Sequence, residues 1–362
     1  MPITKLVLLP LFFASVVSYG VTPLVIRIAN KYKLVDDPNK NKHPKKIHKS
    51  TIPRAGGLSV FAGLVATTTF FLPIDKYISA ILAGAVLVVF VGLLDDRYDL
   101  SPWLRLFLNF LAAAIPIAAG IGIAYVSNPL GGIIDVSYPR YEFYLLGEHH
   151  SLWVLPDLFA LFWIVILMNF LNMGAKGIQG QLPGTAAIAS LVIAMLSFSF
   201  SADIAEWPVT ILASITAGAF LGFLPWNYFP QKIMSGYSGS TLAGFMLGVL
   251  SILTTTKVGT LLIVLAIPII DTVFVVLNRV RSGKSPMHGD TTHLHHKLLR
   301  AGLTKKQVVY FYWTVSGFLG ILSLTLNTFS KITTLVILSV VFAGLIIAID
   351  LYLRSKDANS SN

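Results

Sequence analysis

The chain has 362 residues, 55% of them hydrophobic and only 12% charged, with a mean hydropathy of +0.76. A soluble domain carries about a quarter of its residues as Asp, Glu, Lys and Arg, so this composition excludes one and points to a chain that crosses a membrane many times. The absence of cysteine removes disulfide and thiolate chemistry, and part of the net charge of +11 is assigned to anionic lipid headgroups, not to nucleic acid.

Crossing a hydrocarbon core of roughly 30 Å takes about 20 apolar residues. Eleven segments fit: approximately 4–26, 56–73, 77–94, 104–125, 152–172, 184–202, 207–225, 239–255, 257–278, 307–328 and 332–353. The predicted fold is an all-α polytopic membrane protein of about 11 transmembrane helices, with one integral domain over 1–353 and a short polar tail over 354–362. The first segment lacks a small-x-small cleavage site and runs straight into Ile26-Arg27, so it is expected to be a retained helix. If the loops at 27–55, 95–105, 173–183, 226–238 and 279–306 share one side with the tail, that side holds all the Lys and Arg except Lys5, Lys76, Arg140, Lys257 and Lys331. This asymmetry places the N-terminus outside and the C-terminus in the cytoplasm of a cell-membrane protein. The outer segment 126–151 alternates apolar and polar residues and is predicted to form a small hairpin, with His149-His150 read as a solvated pair.

With that orientation the unusual polar clusters fall on the cytoplasmic side. In chain order the first is His48-Lys49-Ser50-Thr51-Ile52-Pro53-Arg54-Ala55-Gly56-Gly57, a basic turn leading into the second span. Leu94-Asp95-Asp96-Arg97-Tyr98-Asp99 then puts three carboxylates where the third span ends, a position suited to proton transfer or cation binding. The fifth span ends in Asn169 and Asn172, three residues apart and so on one helical face. It continues into Lys176-Gly177-Ile178-Gln179-Gly180, whose amides could approach phosphates closely. Asn227, Pro230 and Lys232 lead into Gly236-Tyr237-Ser238-Gly239-Ser240.

The last cluster holds Pro286, Asp290, His293, His295 and His296. Zinc is disfavoured, because the i, i+4 histidine pair of a helical zinc site is missing. Flanked by Arg279, Arg281, Lys284, Lys297 and Arg300, the histidines suit an anion, so the substrate should carry phosphate. Asp271, about 12 Å inside the ninth span at 1.5 Å per residue, is open to a functional role or a structural one as a partner of the asparagines. Asp350, four residues before Arg354, is read as one half of an interfacial ion pair, and Asp157 receives no role.

The order of these pieces resembles the polyprenyl-phosphate N-acetylhexosamine-1-phosphate transferases, which initiate lipid-linked glycan, teichoic acid and O-antigen synthesis. It runs Pro-Arg-x-Gly-Gly, Leu-Asp-Asp-Arg-x-Asp, Asn-x-x-Asn with a glycine-rich turn, Asn-x-x-Pro-x-Lys, Gly-x-x-Gly-Ser and His-Leu-His-His, and it covers about residues 34 to 305. The resemblance implies transfer of a sugar-1-phosphate, most simply GlcNAc-1-phosphate, from a UDP-sugar to polyprenyl phosphate with release of UMP, and a homodimer. By position Asp95 and Asp96 resemble the catalytic pair, Asn172 a ligand of a magnesium–diphosphate unit, and His293, His295 and His296 the diphosphate-binding cluster. His48, Arg54, Asn169, Asn172, Lys176, Asn227 and Lys232 join the expected substrate site, with Mg²⁺ or Mn²⁺ on Asn172, Asp95, Asp96 and Asp271.

Two positions depart from that family. Lys176-Gly177-Ile178-Gln179-Gly180 stands where its members usually have Asp-Gly-x-Asp-Gly, and Tyr237 stands where they have the main magnesium carboxylate. A neutral phenol is a poor ligand for a hard dication. Either Asp95, Asp96 and Asp271 hold the metal, or Lys176 supplies the positive charge, or the chain is a silent relative that only binds polyprenyl phosphate or nucleotide sugar. A secondary transporter is the remaining alternative, and it would gather its polar residues near the midplane.

Overall fold

The computed structural model describes residues 2–37, 51–123, 125–128, 132–145, 148–253, 257–285 and 292–360. Every apolar segment named above is occupied by helix: α1 (Leu9–Lys31), α2 (Gly56–Phe71), α3 (Lys76–Tyr98), α4 (Pro102–Ala118), α5 (Val154–Gly174), α6 (Gln181–Ser199), α7 (Trp207–Asn227), α8 (Gly236–Ile252), α9 (Lys257–Val264) with α10 (Ala266–Arg281), α12 (Lys305–Thr325) and α13 (Thr328–Ser360). The short α11 (Leu294–Arg300) lies between α10 and α12. Among the described residues seven helical stretches are long and apolar enough to cross a membrane, and α9–α10, bent by 74°, make an eighth when taken together. α2, α4 and α8 are apolar but shorter, at 16, 17 and 17 residues. The protein is an all-α polytopic membrane protein.

Local chemistry sets the boundaries. Asp75 caps α3 by accepting from the Ile78 amide at 2.8 Å, and Ser101 caps α4 just before Pro102. α4 stops short of its expected end because Gly120 takes φ +101°. Its amide reaches the Ile117 carbonyl at 2.8 Å and the Ile121 amide reaches Pro116 at 3.1 Å, the paired closure of a Schellman motif. The chain then forms two antiparallel pairs, β3 (Tyr125–Ser127) with β4 (Ile133–Asp135) and β5 (Arg140–Leu145) with β6 (Glu148–Trp153), in place of one hairpin. A smaller pair precedes them, β1 (Val35–Asp36) with β2 (Ile52–Pro53). The side chains of His149 and His150 lie outside the described residues. The bend between α9 and α10 falls beside Pro268, which has no N–H for the Val264 carbonyl and whose ring crowds it. α13 continues helical through the expected tail boundary as far as Ser360.

Small residues bring the helices together. Gly218 and Gly222 lie one turn apart on α7, where a Cβ would run into the Leu11 and Ser15 carbonyls of α1, and Ser15 Oγ donates to the Gly218 carbonyl at 2.9 Å. This is small-xxx-small packing, which lets two backbones touch in a medium that offers no hydrophobic drive between helices. Gly244 and Gly248 of α8 meet α5 at Met168 and Ile164 in the same way. All of α8 is buried, with α2, α3 and α5 packed against it. Its N-terminus therefore opens inside protein, beside the C-terminal ends of α3, α5 and α7.

Candidate active site

The acid pair occupies the last turn of α3. That helix is closed by Asp99 in the left-handed region at φ +51°, its amide returning to the Asp95 carbonyl at 2.9 Å. The geometry sends Asp95 and Asp96 inward and Asp99 outward. The first two are 1% and 4% exposed, while the Asp99 side chain is 86% exposed and stands 4.0 Å from Arg105 at the margin of the site. An apolar helix ending on two buried acids requires compensating donors.

The start of α8 supplies them to Asp96. Its carboxylate accepts from the Tyr237 amide at 2.7 Å, the Ser238 amide at 3.3 Å and Ser238 Oγ at 2.9 Å. These are first-turn amides that α8 itself leaves unpaired, and they sit at the positive end of its dipole. Gly236 makes the approach possible: it takes φ +70°, and a Cβ there would overlap the Asp96 carboxylate. Arg54 completes the environment, with Nε 3.4 Å from Asp96 Oδ1. It is delivered by β2 and by the Gly56 and Gly57 amides, which bond the Met234 and Ser235 carbonyls at 3.0 and 3.1 Å.

Asp95 faces α4. Arg105 Nη1 lies 3.2 Å from Asp95 Oδ1, and the Leu100 amide donates to the same oxygen at 3.1 Å. The Arg105 guanidinium also stands 5.4 Å from the Tyr237 ring centroid, while Asn109 Nδ2 donates to the Tyr237 hydroxyl at 3.0 Å. Sequence reading passed over Arg105 and Asn109, whose signal was two polar residues four apart on one face of an apolar helix.

Lys176 is the third cation. Its ammonium donates to Asn172 Oδ1 at 2.6 Å, an oxygen that also accepts from Ser240 Oγ at 2.9 Å, and it lies 5.9 Å from the Tyr237 ring centroid. Burial, followed by the nearby Arg54, pushes its pKa down to about 8, with Asp96 and Asp95 pulling the other way. The loop that carries it is folded by Asn227 and Gln181. Asn227 Oδ1 accepts from the Gly180 amide at 2.8 Å and its Nδ2 donates to the Ile233 carbonyl at 2.9 Å. Gln181 donates to the Gly174 carbonyl at 3.2 Å and accepts from the Ile178 amide at 3.2 Å. Asn227 was expected to bind substrate; instead, these bonds use its amide to fold the loop.

The histidine segment reaches the same loop. A Cβ on Gly177 would overlap the His295 ring. His293 and His295 stack at 5.7 Å between centroids, and His296 tilts against His295 at 4.2 Å. Asp271 anchors the segment through Oδ2 to His293 Nδ1 at 2.8 Å and Oδ1 to the Leu294 amide at 2.8 Å. It therefore partners the histidines, not the asparagines, and both its oxygens are used there instead of joining Asp95 and Asp96. Asn169 bonds back to the Val165 carbonyl of its own helix at 2.8 Å, Lys232 lies 4.9 Å over the Trp226 ring, and His48 falls outside the described residues. Asp350 is ion-paired as expected, but with Lys297 at 2.7 Å, not with Arg354.

These contacts do not fit a resident dication. Among the described residues no three His, Asp or Glu side chains converge as a metal site. Asp95 and Asp96 face guanidinium groups, Asn172 holds an ammonium, and the Tyr237 phenol is tied to Asn109. Positive charge here comes from Arg54, Arg105 and Lys176.

A polytopic membrane protein whose helix ends gather two buried acids, three cations and a histidine cluster has the equipment of an integral-membrane enzyme acting on phosphorylated substrates. The family model described as Glycosyl transferase family 4 matches residues 78–255. The chain is 35% identical over 295 residues to the undecaprenyl-phosphate alpha-N-acetylglucosaminyl 1-phosphate transferase of Escherichia coli K12, covering 78% of this chain and 73% of that one. A probable undecaprenyl-phosphate N-acetylglucosaminyl 1-phosphate transferase of Bacillus subtilis strain 168 is 28% identical over 315 residues, covering 85% and 81%. The decaprenyl-phosphate N-acetylglucosaminephosphotransferase of Mycobacterium tuberculosis H37Rv is 28% identical over 392 residues, covering 98% and 91%. The chain belongs to glycosyl transferase family 4.

Proposed function

We propose that this protein transfers GlcNAc-1-phosphate from UDP-GlcNAc to a polyprenyl phosphate, releasing UMP, at the cytoplasmic face of the cell membrane. The observation that carries this reading is the joining of the acid pair to the histidine segment through one half-buried loop, Lys176-Gly177, in a chain whose relatives are named for this transfer. The eleven apolar segments serve as spans in a single integral domain with the N-terminus outside, supported by the gathering of basic loops at the end that carries the site. A homodimer belongs to the same proposal.

In this mechanism Asp95 takes the proton of a lipid phosphate that arrives at the end of α3, or orients its ionised form, while Asp96 fixes the first turn of α8. The lipid phosphate oxygen attacks the β-phosphorus of the nucleotide sugar. The bond from that phosphorus to the bridging oxygen breaks, and UMP departs with the bonding electrons. Phosphoryl transfer asks chiefly for positioning and for neutralisation of developing charge, and Lys176, Arg54 and the histidines provide both around the diphosphate. Magnesium or manganese would have to displace Lys176 from Asn172, so no step is assigned to a metal.

The silent-relative reading has Tyr237 in its favour; the transporter reading loses ground because the polar residues gather at helix ends. UMP release measured on the purified full chain with undecaprenyl phosphate and either UDP-GlcNAc or UDP-GalNAc tests the proposal. Lipid-dependent release with UDP-GlcNAc supports it. Lack of release with either donor, while the lipid still binds, would establish the silent relative.

A further inference from the structure

The two positions at which this chain departs from its family, Lys176 and Tyr237, meet in the structure. The Lys176 ammonium stands 5.9 Å from the Tyr237 ring centroid and the Arg105 guanidinium 5.4 Å from it, both within the roughly 6 Å over which an aromatic face attracts a cation. The ring is pinned at both ends: the Tyr237 amide donates to Asp96 at 2.7 Å, the hydroxyl accepts from Asn109 at 3.0 Å, and the residue is buried. What holds each cation decides what it can do. Among the described residues no carboxylate pairs with Lys176, whose ammonium is held by the Asn172 amide oxygen at 2.6 Å and by the ring. Ser240 Oγ, one turn after Tyr237 on α8, fixes the same Asn172 oxygen at 2.9 Å. Amide, hydroxyl and ring are neutral, so they orient the ammonium without cancelling its charge, whereas a carboxylate at position 237 would pair with it. Arg105 is shared with Asp95 and Asp99 through Nη1, and among the described residues no carboxylate engages its Nη2 or Nε.

We propose that Tyr237 is the positioning residue of a metal-independent diphosphate site: its ring fixes the Lys176 ammonium and the Arg105 guanidinium around one point, and these two cations receive the phosphate oxygens. Two like charges gathered at one ring repel each other, and a diphosphate has oxygens enough to meet both with charge-assisted hydrogen bonds. The identity of the diphosphate rests on the proposed transfer from UDP-GlcNAc; the part played by the ring does not. The phenol oxygen is committed to Asn109 and is a poor ligand for a hard dication, so the work falls to the ring faces. Lys176 and Tyr237 thus act as a pair, each of little use without the other: the ring needs a cation to hold, and the ammonium needs a neutral holder.

The test measures binding of inorganic pyrophosphate to the purified full chain by calorimetry, without lipid or sugar donor, first in EDTA and then with Mg²⁺. The native chain is expected to bind equally well in both. Tyr237→Phe keeps the ring and should bind like the native chain. Tyr237→Leu removes the ring and should bind about tenfold more weakly, the scale of two partly desolvated cation–π contacts. Where the leucine variant does not fold, Tyr237→Met fills the same space without a ring and takes its place. Lys176→Met should also weaken binding, and its effect should shrink when it is added to Tyr237→Leu, because the two changes remove one shared contact. Binding is read without turnover, so a chain that releases no UMP can still pass, and failure here leaves the transfer reaction standing. Pyrophosphate binding that EDTA abolishes and Mg²⁺ restores would overturn the metal-independent site. Native-like binding without the ring, a phenylalanine variant as weak as the leucine one, or full additivity with Lys176→Met would overturn the role of the ring.

Discussion

Asp95 and Asp96 look alike in sequence, yet the structure gives them different tasks. Arg105 Nη1 reaches both Asp95 oxygens, at 3.2 and 3.5 Å, and the Leu100 amide needs only one acceptor there, so Asp95→Asn removes a charge while an oxygen remains for that amide. Turnover is expected to fall by at least about 10²-fold, the usual effect of losing an acid–base group, with the thermal midpoint little changed; near-native turnover would remove Asp95 from the mechanism. In Asp96→Asn, by contrast, the new NH₂ competes with three donors from α8, and leaving buried donors unsatisfied costs about 1–3 kcal/mol each. Destabilisation should therefore accompany lost turnover there. Lys176 gives the pH test. Its ammonium is present below about pH 8 and lost above it, so in the free enzyme affinity for UDP-GlcNAc should fall as pH rises through that value. Lys176→Arg should carry the fall to higher pH. If Lys176 stands in for a metal, transfer should persist in a chelator and Lys176→Ala should abolish it. The opposite pair of results would return the charge to Mg²⁺ or Mn²⁺.

At the scale of elements, the sequence announced which segments were helical because apolar length and cap chemistry act locally: Asp75, Ser101 and the Thr304–Gln307 capping box all stand where helices begin. The end of α4 was missed because Gly120 stops a run whose apolar character continues beyond it. The motif residues that the fold brings together as the candidate site stood out in the sequence, while Arg105 and Asn109 did not, since their place arises only when α4 lies across Tyr237. The part Asn227 plays in folding the loop was hidden for the related reason that a loop-folding amide and a substrate-binding amide look identical in sequence. A pair at the N-terminal ends of α7 and α9 shows the same dependence on packing: Lys257 Nζ sits 2.9 Å from Glu206 Oε2 with the lysine side chain wholly enclosed and the glutamate half-buried. Lys257→Met should cost about 1–3 kcal/mol by leaving the half-buried Glu206 carboxylate with Ser197 Oγ as its side-chain donor, read as a lower unfolding midpoint in detergent. An unchanged midpoint would mean that Glu206 relaxes to water.

For the whole molecule, the central question is how a rigid site is held at the edge of a bilayer. The answer lies in backbone-close contacts that radiate from two enclosed helices. α8 is enclosed along its whole length and carries the amides that receive Asp96, and α7 is locked to α1 at Gly218 and Gly222. Because α7 also ends in Asn227, which folds the Lys176 loop, the α1–α7 seam lies upstream of the site although it carries no charged residue at Gly218 and Gly222 and only the Ser15 hydroxyl bonds across there. Gly222→Leu should force the two helices apart, at the roughly 1–3 kcal/mol cost of overpacking, and should misplace the loop. The predicted signature is a fall in turnover together with increased exchange of the Gly180 amide, while Asp96 keeps its bonds to α8 and exchange at the Tyr237 and Ser238 amides stays native-like. Gly317→Leu, on α12 where a Cβ meets open space, should leave both readouts unchanged. Equal effects from the two substitutions would show that the seam has no particular hold on the site and that any added bulk in the apolar region acts in the same way.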